Sequence, residues 1–77
     1  MDRPSLEAAL RALAELVRKN DPEAEIALEP VRDALRGSRP REAERIAQAL
    51  DMFDFRGAAK ALNALAEAEG ISLASSG

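Results

Sequence analysis

Sliding the chain against itself by 33 residues superposes two halves of the same design. Leu13, Ala14, Val17, Asp21, Ala24 and Gly37 fall on Ile46, Ala47, Leu50, Asp54, Gly57 and Gly70. Each half reads as a helix, a capping aspartate, a second helix and a glycine. A repeat of this kind marks one supersecondary unit used twice, because a single unit cannot bury its apolar face alone. The short turns force neighbouring helices to run antiparallel. The expected fold is therefore all-α: an antiparallel up-down four-helix bundle made of two helix hairpins. With 77 residues the chain is one domain. The bundle should occupy residues 1–73, with a disordered tail over 74–77.

The apolar spacing supports this residue by residue. In the first helix, expected from about Ser5 to Lys19, Leu6, Leu10, Leu13 and Val17 recur at helical intervals, flanked by Ala9 and Leu16. Asp2 or Ser5 can accept from its first free N–H groups. Asn20-Asp21-Pro22 ends it; Asp21 is the expected N-cap of the second helix and Pro22 its first residue. That helix carries Ala24, Ala27, Leu28, Val31 and Leu35 and stops at Gly37. Pro30 disagrees with a straight helix, where it costs about 3 kcal/mol, so a kink or break near Ile26 to Pro30 is expected.

Ser38 is the expected cap of the third helix, with Ala43, Ile46, Ala47, Leu50 and Phe53 on its inner face. Asp54 caps the fourth, whose inner residues are Phe55, Ala58, Ala59, Leu62, Leu65 and Ala66. Gly70 suits a left-handed helix end, and Ile71 and Leu73 should cover the open end of the core. Phe53 and Phe55 are the only aromatics. Phe53 is expected to pack across the turn as a staple, with exposure as a partner anchor its alternative. Phe55 should fill the end of the core.

The chemistry available is narrow. Cysteine, histidine and threonine are absent, which removes disulfides, most zinc sites and the usual nucleophile–base pairs. The serines fall at helix caps or in the tail, and Lys19 and Lys60 on polar faces. Acidic pairs such as Asp51 with Asp54, or Glu67 with Glu69, would need a cleft to raise one pKa. The four glycines are isolated, so no phosphate loop is present. Neither enzymatic activity nor a cofactor is expected. No apolar run is long enough for a membrane span, and Met1-Asp2-Arg3-Pro4 lacks the apolar stretch of a secretory signal, so a cytoplasmic location is expected.

One charge cluster is a candidate partner-binding rim: Arg32, Arg36, Arg39, Arg41 and Arg45 gather around the junction of the two hairpins. Interleaved Asp33, Glu42 and Glu44, a net charge of −3 and the lack of nearby aromatics argue against nucleic acid and leave an acidic protein partner or a solvated rim.

The segment Ala49-Leu50-Asp51-Met52-Phe53-Asp54-Phe55-Arg56-Gly57-Ala58, followed by Leu62, Leu65 and Gly70-Ile71, carries a family resemblance. It resembles a helical domain at the C-terminal end of bacterial hybrid sensor kinases, which usually follows a receiver domain and is similar to histidine phosphotransfer (HPt) domains. Asn20-Asp21-Pro22-Glu23-Ala24 and the spaced Leu28, Val31 and Leu35 extend it to Leu6–Leu73. The resemblance implies an antiparallel four-helix bundle in two-component signalling. An HPt domain that relays phosphate carries it on an exposed histidine in a His-x-x-Lys-Gly setting. With no histidine, none of those residues carries over, and the implied role is docking or regulation of a receiver or kinase partner. The alternatives from the sequence are a general adaptor or self-associating module, similar to tetratricopeptide hairpins, and an engineered bundle.

Overall fold

The computed structural model describes residues 2–73; the tail expected over residues 74–77 lies outside them. The sequence forms four helices: α1 (Arg3–Arg18), α2 (Ala24–Leu35), α3 (Pro40–Asp51) and α4 (Phe55–Glu69). They close a ring in which α1 touches α2 and α4, and α3 touches α2 and α4, while the diagonal pairs do not approach. This is the antiparallel bundle of two hairpins that the repeat implies.

Each helix contributes one stripe of four buried residues. These are Leu6, Leu10, Leu13 and Val17; Ala24, Leu28, Val31 and Leu35; Ala43, Ile46, Ala49 and Leu50; and Ala58, Leu62, Leu65 and Ala66. Ile71 adds a seventeenth buried residue. Alanines on three of the stripes let the axes come close, and no polar or charged residue is buried among the described residues. The interior is thus held by apolar burial alone. Ala27, Ala47 and Ala59, expected inside, are only partly buried, while Ala49 takes an inner place on α3.

The helix ends explain where expectation and structure part. After α1, the Asn20 N–H donates to the Val17 carbonyl (3.0 Å) and the Asp21 N–H to that of Leu16 (2.9 Å). After α3, Phe53 donates to Leu50 (3.0 Å) and Asp54 to Ala49 (2.8 Å). After α4, Gly70 donates to Glu67 (3.1 Å) and Ile71 to Ala66 (2.8 Å). All three are Schellman closures around one left-handed residue. The 33-residue repeat is therefore one of backbone conformation at Asn20 and Phe53, but not at Gly37 and Gly70, of which only Gly70 is left-handed.

Four local expectations need correction. Asp21 does accept from the Glu23 N–H (3.0 Å), but it opens a tight turn with carbonyl-to-N–H bonds three residues apart, and the α-helix starts only at Ala24. Ser38 does not cap α3. Pro40 stands at the start of the helix and Arg39 takes the N-cap position, with no side-chain cap. Of the kink or break expected at Pro30, the break does not occur: α2 runs continuously from Ala24 to Leu35. The missing N–H of Pro30 leaves the carbonyl of Ile26 without a helical donor. Finally, Ile71 is buried as expected, but Leu73 does not close the end of the core. It lies over the seam between α1 and α4, beside Ala14, Val17, Ala59 and Leu62.

Asp54 and Gly70 behave as expected. The Asp54 carboxylate accepts from the Gly57 N–H at 2.9 Å. A Cβ on Gly57 would stand 2.3 Å from Asp54 Oδ2. The glycine inside α4 therefore leaves room for the cap rather than for a neighbouring helix. Gly70 has φ 73°, the left-handed value that glycine adopts without strain.

Candidate protein-interaction surface

The antiparallel ring gives the bundle two unlike ends. One end gathers the start of α1, the α2–α3 connection and the end of α4. The other gathers the α1–α2 and α3–α4 turns.

The first end holds most of the arginine rim, and much of that rim is already engaged. Arg39 pairs with Glu69 and, at 3.7 Å, with Glu42, and it donates to the Ala68 carbonyl (3.2 Å). Arg3 also reaches Glu69, bonding its carboxylate and its main-chain carbonyl. One half-buried glutamate thus ties together the starts of α1 and α3 and the end of α4, where cations also complement the helix dipole. Arg36 pairs with Asp33 at 2.7 Å, and Arg32 bridges Glu44 (3.1 Å) and Glu29 (3.9 Å). Arg41 and Arg45 remain exposed, with no ion pair among the described residues. The structure thus brings the five together in sequence order but not as one free cationic surface.

The second end exposes apolar side chains. Met52 is 70% and Phe53 72% exposed, and Ile26, near the start of α2, is 72% exposed. The expectation that Phe53 staples the turn is overturned. Helix α3 ends at Asp51, so the inner stripe of that helix cannot be extended to residue 53. Phe53 instead takes φ 58°, which turns the chain and directs the ring to solvent. Asn20, the matching residue of the first hairpin, has φ 56°. Asparagine is well suited to that conformation; for phenylalanine it costs about 1–2 kcal/mol. Phe55 is partly buried and packs on the core, close to the expectation for it.

Arg18 beside Glu15 holds that carboxyl below its ordinary value, and the Ser5 hydroxyl does the same for Asp2. Both act at the surface. No cluster of potential metal-ligating side chains occurs among the described residues, and no helix among them is long and apolar enough to cross a membrane.

No known protein family, curated protein or solved structure matches this chain.

Proposed function

We propose that this chain is a non-catalytic protein-interaction module, HPt-like in two-component signalling, that docks a receiver or kinase domain without relaying phosphate. The observation that carries the docking role is Phe53: a large ring held at the surface, on a backbone that glycine or asparagine would adopt at lower cost. Phenylalanine and methionine are both enriched in protein interfaces relative to the rest of the surface, and Met52 stands next to Phe53. The signalling assignment rests on the resemblance around Phe53-Asp54-Phe55, and the four-helix architecture agrees with it. A docked partner would act by equilibrium binding, shifting the population of receiver or kinase states.

The test is a titration of the nitrogen-15-labelled chain with a receiver domain, with and without a phosphoryl mimic. Saturable shifts centred on Met52 and Phe53 support the reading, and dependence on the mimic makes the module a reader of receiver state. No movement at high partner concentration removes it.

Exposure of Ile26, Met52 and Phe53 at one end also favours a second reading, self-association through that end. Sedimentation at rising concentration separates the two: a dimer that dissociates on Phe53→Ser supports self-association.

A further inference from the structure

The repeat relates α1 to α3 and α2 to α4, so the seam between α4 and α1 corresponds to the seam between α2 and α3. The chain treats these two seams differently. Over the first it lays its own extended segment after Gly70. Leu73 packs, partly buried, against the core and borders a small cavity together with Arg11, Ala14, Glu15 and Arg18 of α1, and Arg11 Nε donates to the Ser72 carbonyl (3.4 Å).

The second seam is open. It forms a groove of about 340 Å³ whose α3 side is Glu44, Ala47, Gln48 and Asp51. These positions are Arg11, Ala14, Glu15 and Arg18 displaced by 33 residues. The alanine floor is kept and both arginines have become carboxylates. On the α2 side, Leu28 deepens the apolar floor, and Glu25, Glu29 and Arg32 form the wall. Four carboxylates face one guanidinium, an excess of three, which equals the net charge of the whole chain. Arg32 is committed to Glu29 and Glu44, while Glu25 and Asp51 have no cationic partner among the described residues. Exposed Ile26 corresponds in the repeat to Ala59, which lines the site of Leu73 in the covered seam.

We propose that the α2/α3 groove is a docking site for an extended basic segment of a partner protein, carrying an aliphatic side chain between lysines or arginines. The aliphatic group would take the place over Ala47 and Leu28 that Leu73 takes over Ala14, and the flanking cations would meet Glu25, Glu44 and Asp51. Charge selects this occupant over a second copy of the chain, whose own Ile71-Ser72-Leu73 segment follows Glu67 and Glu69. The proposal deepens the interaction-module reading and rests on it.

Two synthetic peptides with an Ile-Ser-Leu core test it, one flanked by lysines and one by glutamates, each titrated into the labelled chain. The lysine peptide should bind saturably and move Leu28, Ala47 and Gln48, with affinity about tenfold above that of the glutamate peptide. Glu44→Arg with Asp51→Arg places arginines where the covered seam has Arg11 and Arg18 and should reverse the preference. Asp51→Arg alone leaves the Arg32–Glu44 pair in place and should weaken lysine-peptide binding if the double variant folds poorly. Equal affinities, a preference for the glutamate peptide, shifts located away from the groove, or no saturation at millimolar peptide would each overturn the proposal. Receiver binding at Phe53 without peptide binding overturns the groove alone; peptide binding without receiver binding overturns only the signalling partner.

Discussion

Asn20 and Phe53, 33 residues apart, close the first helix of each hairpin with the same left-handed backbone, φ 56° and 58°. One is a residue that tolerates this conformation and the other is not. Phe53→Gly should therefore stabilise the fold by about 1 kcal/mol, since it removes the steric cost and gives up no buried contact. Chemical denaturation of both proteins measures it. A loss of several kcal/mol would mean the ring is buried.

Asp54 and Gly57 should be energetically coupled. Asp54→Ala should cost about 1 kcal/mol through the lost cap. Gly57→Ala gains about 1 kcal/mol of helix propensity but pushes a methyl into the Asp54 carboxylate, so alone it should be near neutral. In an Asp54→Ala background the same change should show its full gain. Additive effects in a double-mutant cycle would contradict the geometry.

Glu69 joins three helix ends through Arg3 and Arg39. Glu69→Gln should cost about 1–2 kcal/mol, because its amide keeps the shape but loses the charge that two guanidiniums share. Raising the salt concentration should shrink the difference. An unchanged melting temperature at low salt would remove the clamp.

The pH profile of stability should be plain. With no histidine, no side chain of ordinary pKa titrates between about pH 6 and 8, so stability should be nearly flat there. The carboxyls of Asp2 and Glu15 are depressed in the folded state, below reference values of 3.8 and 4.5. Their contribution is complete above those values and is lost as pH falls through the lower folded ones. A thermal-melt series across pH checks it; a step near pH 6.5 would contradict it.

Much of the fold was legible because its signals are local. The four stripes, the Asp54 cap, the left-handed Gly70 and the hairpin repeat all follow from spacing and residue chemistry. Helical periodicity does not reach Phe53, because two residues past the end of α3 the backbone has already turned. Ser38 has the side chain of a cap, but Pro40 at the start of α3 puts Arg39 in the position before the helix. The open groove was hidden for another reason. The exchange of Arg11 for Glu44 and Arg18 for Asp51 stands in the sequence, but only the path of Leu73 gives it meaning.

The proposed docking role turns on Phe53. Its most direct test is the receiver-domain titration run in parallel on the unaltered chain and on Phe53→Gly. The variant should be folded, more stable and silent in the titration, while the unaltered chain shows saturable shifts around Met52 and Phe53. Equal shifts from both proteins, or from neither, would contradict it.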